Sequence, residues 1–175
     1  MKKTVVLLVV MFLMATSLQA QDDIVFGVKA GLNFSKFGQD VDVDGRTSFH
    51  IGGFADIPID EKLHIQPELL FSGEGSEDLE ANFLRAIGVA KYYVADGLSL
   101  EGGPQFGVRI SADEVIEDAT KSFDFGLALG VGYELTDTGL LFGLRYNLGI
   151  ANLSDSDAFD TNLGTFQLSV GYKFN

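Results

Sequence analysis

The sequence predicts an all-β chain, an eight-stranded antiparallel up-and-down transmembrane β-barrel preceded by a cleavable signal peptide. Three observations carry this. Apolar residues alternate with polar residues and glycines at a period of two in segment after segment. Long acidic stretches and tight turns alternate between those segments. No segment carries a convincing helical apolar stripe.

The first element is the export signal. Lys2 and Lys3 open the chain, Val5 to Met14 run apolar without a charge, and Ala15 to Ala20 lead into the polar Gln21-Asp22-Asp23. This is a signal-peptide layout with cleavage expected after Ala20. The apolar run is too short to cross ~30 Å as a helix. The expected division is therefore 1–20 signal peptide and 21–175 barrel domain.

The first strand is 24–34. Ile24, Phe26, Val28, Ala30, Leu32 and Phe34 share one face, and Gly27, Lys29, Gly31 and Asn33 share the other. Segments 48–58 and 62–72 alternate similarly. Segment 81–94 is blurred, and its phase is set by placing Arg85 and Lys91 on the polar face. In 98–111, Leu98, Leu100, Pro104, Phe106, Val108 and Ile110 oppose Glu101, Gly103, Gln105, Gly107 and Arg109. In 122–135, the run Phe123, Phe125, Leu127, Leu129, Val131, Tyr133 opposes Asp124, Gly126, Gly130, Gly132 and Glu134. Segment 139–152 sets Leu140, Phe142, Leu144, Tyr146, Leu148 and Ile150 against Gly143, Arg145, Asn147 and Gly149. The last strand, 165–174, sets Phe166, Leu168, Val170, Tyr172 and Phe174 against Gln167, Ser169, Gly171 and Lys173. Pro67 and Pro104 fall mid-strand, where a missing N–H suggests a bulge.

Residues 35–47, 73–80, 112–121 and 153–164 form the long connections, and 58–61, 95–97 and 136–138 the short ones. Strands of about eleven residues at ~3.3 Å each, tilted ~40°, rise roughly 28 Å, enough to cross a bilayer core.

Alternation alone does not say which face is inside, because a soluble lipocalin-like barrel would turn its apolar face inward. The polar face is dense in glycine, and an eight-stranded lumen admits long charged side chains only beside residues that have none. Aromatics gather at both strand ends of the apolar face. Phe34, Phe49, Phe71, Phe123 and Phe166 lie toward the long loops, and Phe26, Tyr92, Tyr133, Tyr172 and Phe174 toward the turns, as two interfacial girdles do. The charge is sorted too: 14 acids and 3 bases in the long loops, against 5 acids and 6 bases on the polar strand face. A nearly self-neutralising face suits burial. The expected lumen network is Lys29, Asp56, His64, Glu68, Arg85, Lys91, Glu101, Arg109, Asp124, Glu134, Arg145 and Lys173. Hairpin geometry with Tyr92 opposite Leu98 would put Arg85 across from Gln105 and Lys91 diagonal to Glu101.

Composition excludes several classes. The chain has no Cys, hence no disulfide scaffold, Cys-ligated zinc, thiol nucleophile or lipoprotein anchor. A net charge of −13, or −15 once Lys2 and Lys3 are lost, argues against nucleic acid as a partner.

The chain resembles the PorT-type outer-membrane β-barrel domain family of Bacteroidetes-type bacteria over essentially the whole mature sequence. The most specific stretch runs from Gly53-Phe54-Ala55-Asp56-Ile57-Pro58 through Glu61 to Ser72. Gly27 to Asn33, Gly103-Pro104-Gln105, Arg145 to Gly149 and Gly171-Tyr172-Lys173-Phe174 also match. The resemblance implies outer-membrane location after export, contact with outer-membrane lipid, insertion by the barrel-assembly machinery, and no catalytic motif or cofactor. Asn175 after Phe174 departs from the terminal aromatic that such barrels usually carry. The family's link to protein secretion is not carried over.

Candidate chemical sites are slight. Asp40-Val41-Asp42-Val43-Asp44-Gly45 opens like an EF-hand loop, but the twelfth position is Ile51 rather than Glu. Asp40, Asp42 and Asp44 offer at most loose divalent-cation binding, and a solvated acidic loop is the simpler reading. His50 and His64 share the polar face. With a turn centred on Asp60, Asp56 lies directly opposite His64 as a structural ion pair. The glycines of Gly126 to Gly132 sit within unbroken alternation, so they read as lumen packing, not a nucleotide loop. The expected function is a non-enzymatic barrel with a side-chain-filled lumen and acidic extracellular loops, its extracellular partner unknown. The alternatives are an outer-membrane lipid-modifying enzyme and a periplasmic lipocalin-like binder.

Overall fold

A computed structural model describes residues 24–37, 45–76, 79–112, 123–150 and 163–174. The expected signal peptide, Asp40, Asp42 and Asp44, and most of the stretches 112–121 and 153–164 lie outside the described residues.

Eight strands follow one another: β1 Val25–Phe37, β2 Arg46–Pro58, β3 Leu63–Ser76, β4 Leu79–Ala95, β5 Leu98–Ala112, β6 Phe123–Leu135, β7 Leu140–Gly149 and β8 Leu163–Lys173. Each pairs antiparallel with its sequence neighbours, and β1 closes on β8. Closure leaves no free sheet edge.

The period-two pattern becomes a two-sided wall. On β6, Asp124 is buried while Phe125, Leu127, Leu129 and Val131 stand exposed. The same inversion holds around the barrel, with polar side chains enclosed and Leu, Val, Phe and Tyr outside. In water this surface would be an aggregation hazard, whereas in a bilayer it is the matching face. The inward-apolar lipocalin-like arrangement is therefore wrong for this chain.

Five expectations need correction. Residues 73–80 are not a long loop, because β3 and β4 pair as far as Ser76 opposite Leu79. The alternation of Ser72 and Glu74 continues in phase, so both point into the lumen and are buried.

The β4–β5 hairpin is shifted by two residues. Tyr92 faces Leu100 rather than Leu98, and the register slips between Tyr93 and Ala95. The turn encloses Asp96 and Gly97 with Ala95 opposite Leu98, and one extra residue on β4 at the slip then sets Tyr92 opposite Leu100. Arg85 consequently faces Gly107, and Lys91 faces Glu101 directly. The β2–β3 hairpin also centres one residue later than expected. Pro58 faces His64, so Asp56 meets His64 along a diagonal.

Neither proline makes a bulge. Pairing between β2 and β3 lapses at Ala55/Pro67 and Asp56/Gln66, then resumes in the same register. Between β4 and β5 it lapses at Gly88/Pro104 and Val89/Gly103 and likewise resumes. One missing N–H per site accounts for both pairs lost at each. Each ladder thus loses one bond, and the carbonyls of Ala55 and Gly88 lose their donor.

The lumen is also not polar throughout. Phe54, Leu70, Phe83, Ile87 and Val89 are buried inside the wall made by β2 to β4. Phe83, Ile87 and Val89 are what blurred the alternation in 81–94.

Candidate functional site

The only concentration of chemistry among the described residues is the lumen, and its charged groups fall into three tiers. At the loop side, the Arg85 guanidinium donates through Nε and Nη2 to Glu74, and through Nη1 to Asp124 Oδ2 at 2.7 Å. Its head occupies the space a side chain at Gly107 would need, since a Cβ there would lie 2.7 Å from Nη1. Phe83 packs beneath the guanidinium at 4.7 Å.

The middle tier centres on Glu68. Arg145 reaches it with both Nη atoms, at 2.8 and 2.9 Å, and Lys29 Nζ sits 3.1 Å from each oxygen. Gln66 adds a bond at 2.7 Å, and Arg145 Nη2 also donates to Glu101 Oε2 at 2.7 Å. Glu101 leans over Gly132, where a Cβ would fall 2.6 Å from its Oε1. The bidentate Arg145–Glu68 fork is the strongest kind of ion pair available to a protein.

At the turn side, Asp56 accepts from His64 Nδ1 at 2.6 Å and pairs with Lys173 at 2.7 Å and Lys91 at 3.7 Å. Lys173 and the Tyr93 hydroxyl both donate to Glu134 Oε2, at 2.6 and 2.8 Å. A repeated device brings these last three together. Tyr92-Tyr93, Tyr133-Glu134 and Tyr172-Lys173 lie within the last four residues of β4, β6 and β8. In each pair the tyrosine faces outward and the next residue inward. The backbone N–H of that next residue seals a preceding turn: Tyr93 to Lys62 O, Glu134 to Gly97 O and Lys173 to Gly139 O. Gly97 and Gly139 take φ of 71° and 73°, which a side chain would resist.

Of the residues expected in the lumen, Lys29, Asp56, Glu68, Arg85, Lys91, Asp124, Arg145 and Lys173 are buried, while His64, Glu101, Arg109 and Glu134 are half-buried. Arg109 sits on the inward face of β5 opposite Phe83, one inward position past Gly107. Sequence reasoning missed Glu74 and Tyr93. It left Gln66 and Ser72 unnamed, and it placed Asn33 and Gln167 on the polar face without naming the bonds they make. Continued alternation past Ser72 was the available signal for Glu74, and the Tyr-x repeat was the signal for Tyr93.

His50 forms a second constellation. Its Nδ1 lies 2.7 Å from Asn33 Oδ1, and its Nε2 lies 2.9 Å from Ser169 Oγ. Gln167 Nε2 also donates to Asn33 Oδ1 at 3.0 Å, and an amide oxygen only accepts, so His50 Nδ1 carries the proton. A Ser, a His and an orienting Asn thus line up as a nucleophile, base and positioner would. All three are buried, and the space beside Ser169 is a cavity of about 10 Å³, room for about one water. No substrate reaches this hydroxyl.

The turn end opens into a wider vestibule of about 470 Å³, bordered by Lys62, His64, Tyr93, Asp96, Glu134 and Lys173. Near its mouth Asp60 accepts from the N–H groups of Lys62 and Leu63, both at 2.8 Å. Those two bonds hold its carboxyl below the usual carboxylate range.

Comparison with known proteins gives the same architecture. The family model described as outer membrane protein beta-barrel domain matches residues 5–174. None of the curated proteins compared with the chain matches it. Among solved structures the chain is similar to neisserial surface protein A, with a TM-score of 0.54 at 17% identity, covering 85% of this chain and 97% of that one. It is also similar to Ail, the attachment invasion locus protein of Yersinia pestis, solved with the heparin analogue sucrose octasulfate. That TM-score is 0.52 at 15% identity, covering 86% of this chain and 99% of Ail. At these identities the likeness is one of fold. An apolar outer face, a lumen crossed by ion-paired side chains and a family match along nearly the whole sequence agree: the chain belongs to the outer membrane protein beta-barrel domain family, and its place is the outer membrane.

Proposed function

We propose that the chain is a non-conducting, non-enzymatic barrel that holds its long acidic loops at the cell surface, with a structural or surface-interaction role. The observation that carries this is the Glu68–Arg145–Glu101 tier, which crosses the lumen with Lys29 against it. An eight-stranded barrel is narrow enough for side chains to fill, and these side chains fill it. The enclosure of Ser169, His50 and Asn33 supports the non-enzymatic reading over a lipid-modifying one.

Several finer points belong to the same proposal. The leader is removed after Ala20 during export. Barrel-assembly machinery inserts the chain by reading its Gly171-Tyr172-Lys173-Phe174 end. Within the family the sequence pattern resembles the PorT-type branch. The loops face outward, so protease added to cells nicks near Asp113 to Asp118 or Asp155 to Asp160. Ail's polyanionic ligand is not expected to transfer, because acidic loops repel polyanions.

The test is a planar-bilayer recording on the folded mature protein. Absence of steady ion conductance is expected. A stable, reproducible channel of porin size would overturn the filled-lumen reading.

A further inference from the structure

Beyond the ion-paired tiers, part of the lumen wall carries polar groups with no protein partner. Asn147 on β7 faces Thr165 on β8, which faces Ser35 on β1. All three are at least nine-tenths buried. Neither amide atom of Asn147 has a hydrogen-bond partner, and neither does Thr165 Oγ1 or Ser35 Oγ. Gln167 Oε1, one inward position along β8, is unpaired as well. Buried polar atoms left in this state are costly, and five on one short arc of wall point to a bound molecule.

The chemistry of the set selects the occupant. It mixes a donor-only group, the Asn147 Nδ2, with acceptor-only oxygens and with hydroxyls that do both. A metal ion would satisfy the oxygens and leave Nδ2 unpaired. An anion would do the reverse. Water serves both kinds of group at once. The spacing agrees, because facing inward neighbours hold their Cβ atoms roughly 4.5–5.5 Å apart, a gap that one water bridges. Room comes from Gly149, which follows Asn147 on the inward side of β7 and has no side chain, while Ala128 opposite Asn147 on β6 packs with Leu70, Ile87 and Val89. Phe54, Leu70 and Phe83 on the β2–β4 wall offer water no partner, whereas Gln66 Oε1 on β3 is a further buried oxygen left unpaired.

We propose that Asn147, Thr165 and Ser35 hold a shared internal water site on the β7–β8–β1 wall.

The test is nuclear magnetic resonance of the full mature barrel in lipid nanodiscs, with asparagine labelled by nitrogen-15. The Asn147 side-chain amide is assigned by its loss in Asn147→Leu. Long-lived water should give that amide NOE and ROE cross-peaks, and Thr165→Val, which keeps the shape but removes the hydroxyl, should weaken them. If Asn147→Leu does not fold, site-selective labelling of the wild-type chain gives the same assignment. Missing cross-peaks would overturn the site. Cross-peaks unchanged in Thr165→Val would overturn its sharing. Movement of the amide signals when sodium is replaced by choline would show a cation instead of water.

Discussion

Lys173 on β8 and Glu134 on β6 meet at 2.6 Å although β7 runs between their strands. Both follow an outward tyrosine, and both use their backbone N–H to close a turn. One carboxylate therefore ties three hairpins together, since Tyr93 on β4 donates to the same oxygen. Glu134→Gln is expected to weaken both bonds. In a double-mutant cycle between Tyr93→Phe and Lys173→Met, coupling of about 0.5–3 kcal/mol is expected from a shared network. Denaturant titration of the folded barrel measures it. Strict additivity would mean that the two donors act independently.

The Arg145–Glu68 fork gives a second prediction. Arg145→Met leaves Glu68 buried with Lys29 as its remaining cation. The expected loss is about 3–5 kcal/mol. Arg46 is not a suitable neutral comparison, because it opens β2 and donates to the Glu74 carbonyl at 2.8 Å. Lys62 in the exposed turn is suitable, and Lys62→Met should change stability by less than about 0.5 kcal/mol. Urea unfolding of both variants decides it. Equal losses would contradict the buried network.

Glycine substitutions separate the two faces of the wall. A Cβ at Gly103 would lie 1.9 Å from the Gly88 carbonyl oxygen, whereas one at Gly88 meets nothing within 4 Å. Gly103→Ala must move backbone and should cost about 1–3 kcal/mol. Gly88→Ala should be neutral or stabilising by up to about 1 kcal/mol. Thermal unfolding ranks the two, and the reverse order would contradict the register.

Pro67→Ala tests the origin of the β2–β3 gap. The substitution supplies the N–H that the Ala55 carbonyl lacks, so the amide created at position 67 should be protected from hydrogen exchange. Inside a bilayer such a bond has no water to replace it. Rapid exchange at that amide would show that the strands separate for another reason.

The alternation was readable because each strand has one face in lipid and one in the lumen, and a period of two follows from that alone. The register was less readable. Placing Tyr92 opposite Leu98 centred the turn on Ala95, whereas the turn is Asp96-Gly97 with Ala95 opposite Leu98, and the slip between Tyr93 and Ala95 has no signature in residue types. The lumen charges were read nearly in full, with Glu74 assigned to a loop because acids surround it in sequence. Restoring it balances the inward set, with Lys29, Arg85, Lys91, Arg109, Arg145 and Lys173 against Asp56, Glu68, Glu74, Glu101, Asp124 and Glu134. Neutral partners such as Asn33 and Gln66 depend on which side chains meet across the lumen, and that is set by closure of the barrel.

The central claim is that the apolar face meets lipid and the polar face fills the lumen. The chain has no Trp, so a single one can report its own surroundings. Phe106 is 56% exposed on the outer face and Phe54 is 5% exposed inside. Quenching by brominated phospholipid in vesicles should be strong for Phe106→Trp and weak for Phe54→Trp. Strong quenching of Phe54→Trp with Phe106→Trp spared would place the faces the other way round and contradict the account.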